Sequence, residues 1–286
     1  MKLHVIGTGG PRPGPTSYGC SCILEFGNEL IMLDCGPGTT YRMTRMDLSP
    51  TQVDTIFISH HHTDHNVDFP CFALLRFDLD NNDLAPLSVY GPAPTQAFVD
   101  RLVGTNGAFA PDIVSRQEHP VAQHNYIKRG GSLPRPGTKA QGHDVESGHI
   151  IETDAWRATA IQVPHLDPYL TSLAYRIDTN EGSILYLGDA GICPELIELA
   201  KGVDTLITGI LSWNTREGIE PDVHHDVSAD VPDVVDVATK AGIPRVVGIH
   251  GAPGTENTAS LLREGYGGIG YGGQVVCPNE MTSIHL

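Results

Sequence analysis

Apolar and polar residues alternate along this chain in short stretches separated by turns rich in glycine and proline. That period-two pattern predicts strands at Lys2–Gly7, Ser21–Phe26, Glu29–Asp34, Asp54–Ser59, Leu87–Tyr90, Arg157–Val163, Ser172–Ile177, Ser183–Leu187, Thr205–Thr208 and Arg245–Ile249. Helical periodicity is clearest at Thr95–Val103, Pro194–Ala200 and Val231–Ala241, the last closed by Gly242 and Pro244. Residues 106–148 break the regularity with Gly130-Gly131, Pro134, Pro136 and Gly137, and they read as an irregular insertion within a single domain spanning residues 1–286. The glycine-rich stretch Gly265–Gly273 reads as a loop leading to a last strand at Val275–Cys277. Gly7-Thr8-Gly9-Gly10 has neither a Walker lysine nor a complete dinucleotide fingerprint after it, so it reads as a tight turn rather than a phosphate cradle.

Charge narrows the partners. The 286 residues carry a formal net charge of −16, which opposes the counterion-release attraction behind most nucleic-acid binding and argues against a nucleic-acid partner. The exception is Lys128, Arg129, Arg135 and Lys139, a basic run without an acid, which reads as a solvated loop face or as an anion-recruiting lid. No apolar run approaches a membrane span, and Met1–Gly7 lacks the apolar region of a signal peptide, so the expected location is the cytoplasm. Six cysteines without a CxxC pair read as reduced thiols, whereas 14 histidines are many for this length, and four of them cluster.

The cluster is Ser59-His60-His61-His62-Thr63-Asp64-His65, placed where the apolar run Thr55–Ile58 passes into a polar turn. On an extended backbone His60 and His62 face the same side, while Asp64 and His65 approach from another direction, which makes two metal positions possible. So many polar groups in one place call for a partner such as a metal ion.

His60-x-His62-x-Asp64-His65 resembles the signature of the metallo-β-lactamase superfamily. Later segments resemble the family's remaining motifs in order. They are Val163-Pro164-His165, Leu187-Gly188-Asp189 and Gly248-Ile249-His250, and upstream Leu33-Asp34-Cys35-Gly36-Pro37-Gly38 is similar to the first motif. The resemblance implies an αββα sandwich in the α/β class, with metals at strand ends along one edge. It implies that His60, His62 and His165 bind one divalent ion and Asp64, His65 and His250 a second, with Asp189 bridging and Asp34 orienting ligands from behind. Zinc suits this mixed imidazole and carboxylate set best, with manganese or iron as alternatives. Such an ion pair lowers the pKa of a shared water so that a hydroxide nucleophile forms near neutral pH, and Asp64 would orient that water or accept its proton. His225, or alternatively His224, would protonate the leaving group from an acidic loop.

Several features resemble the ribonuclease Z-like branch, including Ile6–Gly10 and Val89-Tyr90-Gly91-Pro92. Members of that branch that process tRNA carry a long arm between the third histidine and the bridging aspartate, but here His165 and Asp189 stand too close for one. The arm-less relatives include arylsulfatase-like enzymes and phosphodiesterases. Ala110–Arg116 resembles the sulfatase-like pattern, which would place residues 106–148 as a lid over the metals, with Trp156, Tyr169 and Trp213 as aromatic walls. The expected activity is therefore hydrolysis of a small sulfate ester or phosphodiester. Carboxyl ester or lactone hydrolysis, a tRNA endonuclease of the ribonuclease Z type, and metal or ligand binding without turnover are the alternatives. The branch resemblance also implies a homodimer.

Overall fold

The computed structural model describes residues 1–209, 227–250 and 271–286, apart from Pro13, Pro15 and Thr16. Among them the chain forms two seven-stranded sheets. The first contains β1 (Lys2–Gly7), β2 (Ser21–Phe26), β3 (Glu29–Leu33), β4 (Thr55–Phe57), β5 (Leu87–Gly91), β6 (Ala140–Asp144) and β14 (Thr282–His285), in the order β14-β1-β2-β3-β4-β5-β6. The second contains β7 (Ile150–Glu152), β8 (Trp156–Val163), β9 (Ser172–Thr179), β10 (Gly182–Gly188), β11 (Thr205–Gly209), β12 (Arg245–Ile249) and β13 (Gln274–Val276), in the order β13-β12-β11-β10-β9-β8-β7.

Alternation decides which faces meet. Leu3, Val5, Leu24, Ile31, Leu33 and Phe57 of the first sheet pack against Ala158, Leu173, Tyr175, Ile184, Tyr186 and Val247 of the second in one buried cluster. The outer face of the first sheet (Ile6, Ile23, Met32, Ile56, Val89) is covered by α1 (Thr39–Arg45), α3 (Phe69–Leu79), α4 (Thr95–Val103) and α5 (Ala110–Glu118). The outer face of the second sheet is covered by α7 (Pro194–Ala200) and α8 (Val231–Ala241). These layers are the αββα sandwich that the motifs imply. The valines and alanines of α8 form its buried stripe, and the helix starts at a reciprocal Asp230–Asp233 capping box and stops at Gly242 in the left-handed region (φ 69°). No helix among the described residues is long and apolar enough to cross a membrane.

Strand direction sets the functional edge. β3, β4, β5 and β6 run parallel, as do β10, β11, β12 and β13, and β8 shares the direction of β10 because both pair antiparallel with β9. The carboxyl ends of β3, β4, β8, β10 and β12 therefore open at one rim, where Asp34, His60, His165, Asp189 and His250 follow.

Two expectations need correction. Residues 106–148 are not an irregular lid, since they form α5, α6 (Pro120–Lys128) and β6, a full parallel partner of β5. The sequence hides this because Ala140–Asp144 has no apolar alternation and sits at a sheet edge. Nor does the basic run reach over the functional rim. Lys139 precedes β6 and so lies at the opposite end of the sheet, donating to Asp80 at 2.8 Å and to the Leu84 carbonyl at 3.1 Å. Buried Arg135 donates to the Phe77 carbonyl at 2.8 Å and stacks over the Phe77 and Tyr126 rings, and Arg116 pairs with Asp78 at 2.7 Å. These cations anchor the helical hairpin α5–α6 to the far end of α3. The sulfatase-like stretch Ala110–Arg116 is α5 and belongs to the same far end. A further strand, β14, went unread because Thr282-Ser283-Ile284-His285 offers a single apolar residue.

Asp80 also accepts from the backbone N–H groups of Asn82, Asp83 and Leu84, closing the turn after α3. Burial opposes its charge, but the Lys139 ammonium and these N–H groups outweigh burial and hold the carboxyl below its usual range. A depressed folded-state pKa contributes stability above the unfolded value near 3.9, and that contribution is lost as pH falls through the folded value. Asp80→Asn is expected to cost about 1–3 kcal/mol at pH 7. The gap from wild type should narrow as pH falls below about 3.9 and through the folded-state value. Urea unfolding followed from pH 7 to about pH 2 checks both.

Candidate metal centre

Each half of the site is carried by one sheet. After β4 the chain stays extended through His62, then turns into the single-turn helix α2 (Thr63–Asn66), so His60 and His62 leave in one direction and Asp64 and His65 in another. The loop is fixed by its backbone. The Asp64 carbonyl accepts from Cys20 N–H at 2.9 Å, and the His65 carbonyl accepts from Cys35 N–H at 2.7 Å. That approach leaves no room for side chains at Gly36, where a Cβ would lie 2.0 Å from the Asp64 carbonyl oxygen, or at Gly19, where it would lie 2.6 Å away. The second sheet supplies His165, Asp189 and His250. Asp34 (φ 58°), Gly188 (φ 68°) and His250 (φ 52°) take left-handed backbone where their strands end, and two of these three are not glycine.

The side chains gather into two adjoining groups. Ligand atoms of His60, His62, His165 and Asp189 lie within 4.8 Å of one another, as do those of Asp64, His65 and His250. Asp189 reaches both. One carboxylate oxygen is 3.6 Å from His60 Nε2 and 3.0 Å from His65 Nε2, and the other is 3.6 Å from His250 Nε2. Within the first group His62 Nδ1 lies 2.9 Å from His60 Nε2 and 3.3 Å from His165 Nε2. Within the second, Asp64 Oδ2 is 3.1 Å from His250 Nε2 and 3.5 Å from His65 Nε2.

The outer nitrogens assign the tautomers. Asp34 is fully buried and accepts from Ser59 N–H and Oγ–H, both at 2.7 Å, from Tyr186 OH at 2.5 Å and from His65 Nδ1–H at 2.6 Å. The single Ser59 hydroxyl proton is thus committed, so Ser59 Oγ accepts from His60 Nδ1–H at 3.0 Å. His165 Nδ1–H donates to the Val227 carbonyl at 2.5 Å. His60, His65 and His165 therefore all turn Nε2 toward the same small volume.

Charge completes the picture. Burial, followed by the neighbouring His65, holds His60 far below the ordinary imidazole range, and burial and His165 lower His62, so both rings are neutral donors of lone pairs. Burial also works against charging His65, but the Asp189 and Asp34 carboxylates overcome it and raise its pKa well above the usual value. Burial disfavours the Asp189 anion too, yet His250 and His65 keep it ionised, with its pKa well below the usual range. The carboxylates demand positive charge at this spot. His65 Nε2 and Asp189 Oδ1 are buried without a hydrogen-bond partner, which a divalent cation coordinated by both would supply. The donor set fits such an ion.

Cys20, Asp34 and His65 also cluster. Asp34 already has four donors, and burial and the Asp34 charge keep the Cys20 thiol protonated, so this trio supports the site from behind rather than forming a third one. His61 turns away, with Nε2 at 3.0 Å from Thr95 Oγ1 and 3.1 Å from the Pro92 carbonyl. Trp156 is buried edge-on to Phe57 and is packing, not a substrate wall, whereas Tyr169 is 93% exposed on the loop that follows His165. His224, His225 and Trp213 lie outside the described residues. The sequence reading missed Ser59 as a partner of Asp34 and His60, the Gly19 and Gly36 contacts, and Tyr186. A hydroxyl on an inward-facing position of apolar β10 was the available signal for Tyr186.

Gly36→Ala is expected to cost about 3 kcal/mol, because a methyl group would enter the space of the Asp64 carbonyl. Chemical denaturation of the metal-free protein measures this loss apart from metal binding, and a change below 1 kcal/mol would contradict the packing argument.

Known proteins support this reading of the residues. The family described as the beta-lactamase superfamily domain matches residues 30–251, a stretch that holds Asp34 and all seven candidate ligands. Ribonuclease Z from Mycobacterium marinum is 23% identical over 100% of this chain and 99% of its own length. Among solved structures, the metallo-β-lactamase fold protein YhfI from Bacillus subtilis superposes with a TM-score of 0.74 at 15% identity, covering 99% of this chain and 98% of its own. A diphosphatase from the PhnP family superposes with a TM-score of 0.65 at 17% identity, covering 100% and 97%. The motif spacing, the sandwich with its His and Asp residues at one rim, and the family match across most of the chain agree, and the chain belongs to the metallo-β-lactamase superfamily of hydrolases.

Proposed function

We propose that this protein is a phosphodiesterase that works with two divalent ions, best zinc, held by His60, His62 and His165 on one side and Asp64, His65 and His250 on the other, with Asp189 between them. The observation that carries the reading is the pair of adjoining donor groups that share Asp189, whose carboxylate reaches rings of both groups. Phosphate rather than sulfate or carboxyl esters is favoured because a ribonuclease and a diphosphatase, both phosphate-transfer hydrolases by name, cover this chain end to end.

When bound, the ions supply Lewis acidity that acidifies water and offsets charge growing on the phosphoryl oxygens. Asp64 orients the attacking water and accepts its proton. Its carboxylate is ionised and so able to accept, because hydrogen bonding to His250 outweighs the opposing effect of burial and keeps its pKa below the usual range. His225, with His224 as its alternate, returns a proton to the leaving oxygen. Asp34 holds His65 in the tautomer that presents Nε2. Tyr169, exposed on the loop after His165, would supply an aromatic face to an aryl or base ring of the substrate.

A small phosphodiester is the first choice of substrate. Between His165 and Asp189 the chain forms only a short loop and the β9–β10 hairpin, turned by residues 180–181. The second reading, cleavage of RNA ends, is favoured by the full-length similarity to ribonuclease Z, and it removes the ground for setting nucleic acid aside on net charge. A homodimer belongs to the proposal as well.

Turnover of bis(p-nitrophenyl) phosphate, the matching phosphomonoester, sulfate and acetate, and a precursor tRNA tests the substrate class. The diester should exceed the other small esters by at least tenfold. Cleavage of the RNA alone would select the second reading, and preference for sulfate or acetate would overturn phosphodiester hydrolysis. Asp64→Ala should lose about 100-fold or more in kcat with the folded circular dichroism spectrum retained. Unchanged turnover would refute the assignment of the site.

A further inference from the structure

We propose that Tyr186 is a positioning residue for the second metal position, the one assigned to Asp64, His65 and His250, and that it acts through Asp34. The inference rests on the two-ion reading above.

Three of the four donors to Asp34 come from Ser59 and His65, which lie on the first sheet's own loop. The fourth is the Tyr186 hydroxyl, which crosses from β10 of the second sheet and donates to Asp34 Oδ2 at 2.5 Å. Tyr186 is fully buried in the apolar cluster between the sheets, where a phenylalanine would pack equally well. A hydroxyl placed there costs free energy unless it is hydrogen-bonded, and its strong partners are one carboxylate at 2.5 Å and, more weakly, Cys20 Sγ at 3.5 Å.

The bond acts through His65. The Asp34 Oδ2 atom that accepts from Tyr186 also accepts from His65 Nδ1–H at 2.6 Å, so one carboxylate oxygen joins the second sheet to a ring of the second position. The first position lacks this direct link, since His165 hydrogen-bonds the Val227 carbonyl and His60 the Ser59 hydroxyl. Removing the Tyr186 hydroxyl should loosen the second position and spare the first.

The test is zinc titration by calorimetry, together with the visible spectrum of the cobalt-substituted protein, for wild type, Tyr186→Phe and Tyr175→Phe. Tyr175 is an equally buried neighbour whose hydroxyl donates to the Ile58 carbonyl at 2.9 Å and does not touch Asp34. Tyr186→Phe is expected to weaken one of two binding steps about tenfold, the low end for partners behind a ligand, and to leave the other unchanged. Tyr175→Phe should show no such selective loss. Wild-type affinities at both steps in Tyr186→Phe, a loss spread over both steps, or the same selective loss in Tyr175→Phe overturns the proposal. A wild-type chain that binds fewer than two ions overturns the two-ion reading and this inference with it, and the wild-type titration alone reveals that case.

Discussion

Seven histidine and aspartate side chains converge on one small volume at the seam between two sheets. His60, His65 and His165 each spend their Nδ1 proton on an outside partner, so their Nε2 atoms all face the gathered carboxylates and rings. Taking carboxylates and imidazoles out of water without a cation costs several kcal/mol for each charge left unpaired. The fold therefore needs rigid backing to hold the groups together. The buried carboxylate of Asp34 and the close backbone contacts at Gly19 and Gly36 provide it, and the left-handed residues at the strand ends aim the ligands inward.

That backing crosses the sandwich. His60, His62, Asp64 and His65 belong to the first sheet, and His165, Asp189 and His250 to the second, so ligand spacing is set by how the two sheets pack. The packing is the shared cluster of Leu33, Phe57, Tyr175, Tyr186, Ile207 and Ile249, each almost fully removed from solvent. Interiors of this density transmit a change of one methylene, and metal sites tolerate errors of only about 0.5 Å. Core residues such as Phe57 thus bear on the site without lining it, because Phe57 spaces the strand that runs out into His60.

The sequence showed the chemistry more plainly than the architecture around it. The ligand motifs were legible because they follow short apolar runs such as those of β4, β10 and β12, and each run stops just before its His or Asp. The elements that escaped share a physical reason. β6 and β14 are edge strands with one partner each, so half-exposed positions tolerate polar residues and the apolar signal vanishes. α5 and α6 escaped because Gly and Pro at their borders suggested irregularity, whereas Pro111 and Pro120 stand in first turns, where proline starts a helix. The basic run around Lys139 misled in the same way. Charge counted along a sequence cannot show that its acidic partners, Asp78 and Asp80, lie on a helix more than fifty residues earlier.

With the α5–α6 hairpin at the far end of the first sheet, the residues that pack beside the two donor groups come from chain segments that leave the functional rim. One is the loop after β8, where Tyr169 is exposed and the His165 N–H donates to Asp167 at 3.3 Å. Another begins where β11 ends at Gly209, and the described chain resumes at Val227, whose carbonyl fixes the ring of His165. Ser228 beside it donates to the Asp189 carbonyl at 2.9 Å. Val227 and Ser228 thus tie the chain that leads into α8 to two of the residues gathered at the rim, so the spacing of His165 and Asp189 depends on how α8 is approached as well as on how the two sheets pack.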